Sequence, residues 1–156
     1  MFSDLELATN AAIKAGDIRL NSFKSDYEIK EKGYHNPVTT ADKAADNFLK
    51  RTLMEDRPEY GWLSEETVDS FERLNKSKVW IVDPLDGTKE FIEGVANFVV
   101  SIGLVQDGYP IVGVLYNPVS KELFSAAKNE GAYLNGLSIK CSSKENLSDM
   151  SLLISR

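Results

Sequence analysis

Val79-Trp80-Ile81-Val82-Asp83-Pro84-Leu85-Asp86-Gly87-Thr88 is an apolar run that ends abruptly in two acids, a proline and a glycine. Val79 to Val82 are β-branched or aromatic and do not alternate with polar residues, which predicts a strand buried on both faces. Pro84 has no N–H for a central ladder, so the strand is expected to stop near Asp83. Asp83 and Asp86 then sit at the mouth of a rigid sheet, across a tight turn. Gly87 permits close backbone approach, and Thr88 is placed to cap a short helix through Glu90 to Glu93. Two carboxylates, the Leu85 carbonyl and a helix start would converge on one spot. Such oxygen ligands suit Mg²⁺, and a helix start suits phosphate. Asp-Pro and Asp-Gly are also ordinary turn dipeptides, so these residues alone read equally well as a turn.

Working outward, the 156 residues suit one domain with enough chain for a core, and 42% apolar content is that of a globular protein. No stretch reaches the roughly 18 apolar residues of a membrane span, and acids at Asp4 and Glu6 argue against a signal peptide. The single cysteine, Cys141, excludes an intrachain disulfide and fits a reducing cytoplasm. A net charge of −6 disfavours nucleic-acid polymers as partners. A negative protein acting on an anion needs local positive charge, and metal ions supply it. His35 is the only histidine, which leaves no histidine cluster for zinc. There is no P-loop, and Leu147 stands where a cysteine-dependent phosphatase would place its Arg after Cys141.

On the N-terminal side, Ser3 to about Asn21 predicts a helix with an apolar stripe at Leu5, Ala8, Ala12, Ala15 and Ile18 and a Ser3–Glu6 capping box, read as structural only. A short extended piece near Tyr27 to Lys30 is followed by a polar loop, Glu31 to Asn36. Lys32 and His35 there read as solvated residues, though either could reach a phosphate. Pro37 to Asp42 is expected to open a second helix running to about Met54, buried through Ala41, Ala44, Ala45, Phe48, Leu49 and Leu53. Thr39 and Asp42 have the spacing of a cap and a first-turn acid. Alternatively, Asp42 orients the Thr88 hydroxyl. Tyr60 to Ser64 predicts a strand ending in Glu65-Glu66. Two strands that both end in acids can lie side by side and aim carboxylates at one point. Thr67 to Lys78 reads as a connecting loop.

After the motif, Phe98 to Val105 and Ile111 to Tyr116 are expected strands joined at Asp107-Gly108. Glu122 to Ala126 and Ala132 to Leu134 follow, separated by the turn residues Asn117-Pro118 and Asn129-Glu130-Gly131, with Asn135-Gly136 beyond. The fold class expected is α+β, with two N-terminal helices on a mostly antiparallel sheet.

Pro37-Val38-Thr39-Thr40-Ala41-Asp42, Ser64-Glu65-Glu66 and Asp83-Pro84-Leu85-Asp86-Gly87-Thr88 together resemble the inositol monophosphatase family. That family includes inositol monophosphatases, 3′(2′),5′-bisphosphate nucleotidases and related sugar phosphatases. Ser101 to Leu104, Gly113 to Pro118 and Gly131 to Gly136 are similar to its sheet. The resemblance implies that Glu65, Asp83 and the Leu85 carbonyl bind a first Mg²⁺. Asp83 would bridge to a second ion shared with Asp86, in a site of two or three ions that Mn²⁺ could also fill. Glu66 would be a nearby supporting acid. Thr88 paired with Asp42 would position and deprotonate the attacking water, with Gly87 and Thr88 N–H groups on the phosphate. Lys89-Glu90-Phe91 and Leu152 to Arg156 resemble the nucleotidase branch. That makes Lys89 a possible substrate contact and 3′-phosphoadenosine 5′-phosphate the expected substrate. Phe98 to Leu104 and Gly131 to Gly136 resemble the inositol monophosphatase branch, the alternative.

Family members continue for roughly another hundred residues, carrying a Trp-Asp motif and most substrate contacts. Residues 1–156 therefore read as the N-terminal metal-binding portion, with the C-terminal domain absent. The resemblance implies a homodimer at full length, with a small phosphorylated substrate and no membrane as partner. Two other readings compete. One is a metal- or phosphate-binding module without turnover. The other is a phosphatase with a covalent aspartate, whose usual Asp-x-Asp spacing Asp83 and Asp86 do not match.

Overall fold

The computed structural model describes residues 2–23, 29–33 and 36–151; for 29–33 and 36–41 only the backbone is described. The side chains of Lys32 and Thr39 and all of His35 thus lie outside the described residues, as do residues 152–156. Helix α1 (Asp4–Ser22) starts on the expected capping box: Ser3 N–H donates to Glu6 Oε2 at 2.8 Å, and Glu6 N–H to Ser3 Oγ at 3.2 Å. Its buried face is rotated from the expected stripe. Leu7, Ala8, Ala11, Ala12, Ala15, Gly16 and Arg19 are buried, and Leu5 and Ile18 only partly so. The alanines allow close approach, and α1 packs on both α2 and the sheet.

Strands β1 (Ile29–Gly33) and β2 (Asn36–Thr39) form a separate antiparallel ribbon. Two expectations are corrected here. Glu31 to Gly33 and Asn36 are paired strand, not loop. Pro37 to Thr39 are extended, so α2 (Thr40–Asp56) begins later than expected. The cause is local: Pro37 biases its predecessor to extended backbone, and Val38 and Thr39 are β-branched.

A seven-stranded sheet follows in the order β3 (Gly61–Ser64), β4 (Lys78–Asp86), β5 (Val99–Gln106), β6 (Tyr109–Asn117), β7 (Glu122–Ala127), β8 (Gly131–Leu134), β9 (Leu137–Ile139). Only β3 and β4 are parallel; the other neighbours are antiparallel. The α+β architecture expected from the sequence is the one observed. Asp107 and Gly108 (φ 50° and 84°) and Asn135 and Gly136 (φ 51° and 79°) make tight left-handed turns. The second of these turns adds β9, which the sequence reading did not include.

Alternation along the strands explains the layers. Trp80, Val82, Val100, Ile102, Leu104, Val112, Val114 and Tyr116 point to the helices and form one core with α1, Leu49 and Leu53. The opposite face carries Ile81 (42% exposed), Leu115 (42%) and Phe124 (39%) with no helix over it among the described residues. An apolar groove of about 450 Å³ runs along that face past Gly103, Gly113 and Tyr133. Among the described residues no helix is long and apolar enough to cross a membrane.

Candidate metal and phosphate site

Parallel pairing of β3 with β4 brings the first acids together. Ser64 lies opposite Val82, and Glu65 N–H donates to the Val82 carbonyl at 3.2 Å. Glu65 therefore leaves β3 beside Asp83. The two carboxyl groups share a hydrogen bond, and they line a recess of about 340 Å³ with Leu63, Ser64, Ile81, Val82 and Ser101. Burial pushes the Asp83 carboxyl up to about 7, and the charges of Glu65 and Asp86 add to the rise. A hydrogen bond from Leu85 N–H, at 2.9 Å, pulls the other way.

Strand β4 does not stop at Asp83 as expected. It runs through Pro84 to Asp86, which pairs with Val99 after a register shift. Pro84 is tolerated because β3 has already ended opposite Val82, so no neighbour needs its N–H on that side. The register shift between Asp83 and Asp86 marks a local irregularity of the ladder there. Leu85 itself is an anchor, buried with Phe91 and Phe98 against Phe23 and Val119.

Gly87 is required where it stands. Its φ is +99°, and a Cβ there would meet the Asn97 carbonyl oxygen at 2.8 Å and Phe98 Cα at 3.1 Å. It precedes α3 (Thr88–Ile92), so Thr88 is the first helical residue and not the cap expected from the sequence. The Thr88 hydroxyl donates to the Leu85 carbonyl at 3.1 Å. Lys89 is exposed on α3.

Asp42 is fully buried and accepts a hydrogen bond from Arg19 Nη2 at 2.7 Å. An Asp42–Thr88 pair therefore requires Thr88 to change partner. Four residues on, Asp46 is also buried. It accepts hydrogen bonds from Ser64 Oγ and from Thr67 Oγ1, the latter at 2.6 Å, while Ser64 Oγ accepts from Glu66 N–H at 3.2 Å. Asp46 thus braces the turn that carries Glu65 and Glu66. Sequence reasoning missed both Asp46 and Arg19. The available signal was a charged residue on each helix's apolar face, with Asp46 spaced i, i+4 from Asp42.

No three acidic, histidine or cysteine side chains close into a cage among the described residues. The donor set still fits a hard cation. Two carboxyl groups meet at adjoining strand ends, the charge of a third acid, Asp86, acts on Asp83, and every candidate ligand is oxygen. Mg²⁺ commonly keeps several waters and takes only part of its octahedron from protein.

The model of the inositol monophosphatase family matches residues 3–156. The chain belongs to that family. It is 42% identical over 146 residues to inositol monophosphatase 3 of Solanum lycopersicum, covering 92% of this chain and 54% of that protein. The crystal structure of extragenic suppressor protein SuhB from Bartonella henselae superposes with a TM-score of 0.82 at 33% identity, covering 89% of this chain and 54% of that one. CysQ from Bacteroides thetaiotaomicron, a bacterial family member, superposes with a TM-score of 0.69 at 36% identity, covering 96% of this chain and 52% of that one. The chain thus spans about half the length of the relatives it matches.

Proposed function

We propose that this family member supplies the metal-binding half of a Mg²⁺-dependent enzyme that hydrolyses a small phosphate monoester. The observation that carries the reading is the meeting of Glu65 and Asp83 at the ends of two parallel strands, where they line one recess and a cation would balance their charge. Glu65, Asp83 and the Leu85 carbonyl would hold one ion, and Asp83 and Asp86 a second. Bound divalent ions supply charge neutralisation of the phosphate and a lowered pKa for the attacking water. The N–H groups of Gly87 and Thr88 would orient the phosphate. Thr88, re-paired with Asp42, would align the water and take its proton while passing its own hydroxyl proton to the Asp42 carboxylate, and Glu66 would support the acid turn.

For the substrate, Lys89 beside the phosphate turn favours a doubly phosphorylated nucleotide such as 3′-phosphoadenosine 5′-phosphate. The printed names of the relatives favour an inositol monophosphate. A cytoplasmic homodimer of the whole protein completes the proposal. The test is phosphate release by the whole protein with Mg²⁺ from each of the two esters, next to Asp83→Asn. Release that ignores Mg²⁺ or survives Asp83→Asn overturns the reading. A clear preference for inositol 1-phosphate rejects the nucleotide.

A further inference from the structure

Arg19 is the one side chain of α1 whose burial has no packing explanation. It is as buried as the alanines around it, yet it carries a guanidinium, and its Nε and Nη1 have no hydrogen-bond partner among the described residues. Burying such a group is costly unless its charge is matched by something specific. The match is Asp42, at 2.7 Å, with the two side chains 0% and 1% exposed. The same guanidinium lies over the Phe91 ring, 5.0 Å from its centroid. Phe91 is the buried anchor of α3, the helix that Thr88 begins. Glu66 and Asp83 are also close enough to act on Arg19 electrostatically.

Arg19 therefore touches both segments that have to meet in the reaction: Asp42 at the start of α2 and, through Phe91, the helix carrying Thr88. A guanidinium is planar and presents its N–H donors in a fixed fork, so it holds a carboxylate in one orientation. An apolar side chain would fill the same volume at less cost in stability. Stability alone thus does not account for an arginine here.

We propose that Arg19 is a positioning residue for the water-activating pair. It fixes the Asp42 carboxylate and ties it to α3, so that Thr88 can exchange the Leu85 carbonyl for Asp42 without either segment shifting. The inference rests on the phosphatase reading above and concerns only how Asp42 is held.

The experiment is a double-mutant cycle in the whole protein, with Arg19→Lys and Asp42→Asn singly and together. Steady-state phosphate release and calorimetric Mg²⁺ binding are read for each. Lysine keeps the charge but loses the fork. Arg19→Lys should lower kcat about tenfold or more, with KM and the Mg²⁺ dissociation constant within about threefold of the parent. On the Asp42→Asn background it should change kcat by less than about twofold. An equal loss on both backgrounds, or no loss on either, overturns the proposal while the phosphatase reading stands. A parent that releases no phosphate overturns that reading and this one with it. Should Arg19→Lys not fold, Arg19→Met with Asp42→Asn removes both charges together. That variant should match Asp42→Asn in kcat, and a further tenfold loss overturns the role.

Discussion

Asp83 ties the electrostatics of this chain to its chemistry. Its carboxyl is raised to about 7 in the folded protein, chiefly by burial, against an ordinary value of 3.8. Between those values the folded state holds a proton that the unfolded state has released. Stability without metal should therefore fall as pH rises from about 4 through about 7. Mg²⁺ needs the carboxylate, so its binding should release a proton near neutrality and weaken below that pH. Asp83→Asn should flatten the metal-free profile and raise Tm at pH 8, yet lose Mg²⁺ binding and at least tenfold in kcat/KM, about 1.4 kcal/mol. Thermal unfolding with and without Mg²⁺ at pH 6 and 8 checks the pair of effects. An Asn variant that still binds Mg²⁺ normally would remove Asp83 from the site. Thr88→Ala should lower kcat and leave calorimetric Mg²⁺ affinity largely intact, because Thr88 acts on water. Weakened metal binding would instead give its hydroxyl a role in holding the Leu85 carbonyl, its partner at 3.1 Å.

At the scale of elements, the site depends on where β3 and β4 end and on what braces those ends. Asp46 on α2 holds the hydroxyls of Ser64 and Thr67 on either side of Glu65-Glu66. Asp46→Ala should weaken Mg²⁺ binding several-fold with the fold retained. It leaves two hydroxyls short of an acceptor, at about 1–3 kcal/mol if they stay buried. Calorimetry on the folded variant decides; unchanged affinity would make the brace a matter of stability alone. This brace also shows what the sequence could reveal. Strands with apolar runs, the Asp107-Gly108 turn and the Ser3 capping box were legible because each depends on local chemistry. The β4 end was misplaced because Pro84 is harmless only once β3 has stopped at Ser64, a fact of tertiary pairing. Thr88 has the chemistry of a cap, yet Gly87 takes that position because a Cβ there would clash with the distant Asn97 carbonyl. Arg19 and Asp46 show in the sequence only as charges on apolar helix faces; what each one does depends on its partner in the fold.

Across the whole molecule, the sheet is covered on one face and open on the other. Ile81, Leu115 and Phe124 lie on the open face, each about two-fifths exposed, beside an apolar groove. The acid recess adjoins it, since Ile81 and Ser101 line the recess that holds Glu65 and Asp83. Apolar surface of this kind marks an interaction site or an aggregation liability. The matched relatives are about twice this length, and we expect the part beyond the match to cover that face and close the recess to water. We expect residues 1–156 alone to turn over poorly. Asp83 and Asp86 by themselves offer a second ion few anionic ligands, and an open wall leaves the charges screened by water. The same chain should self-associate through the open face. Phosphate release at high Mg²⁺, with size-exclusion chromatography on the same sample, measures both. Replacing Leu115 and Phe124 together with polar residues should shift the isolated chain towards monomer without restoring turnover. Full activity from a clean monomer of residues 1–156 would mean that the acids at the β3 and β4 ends need no further wall.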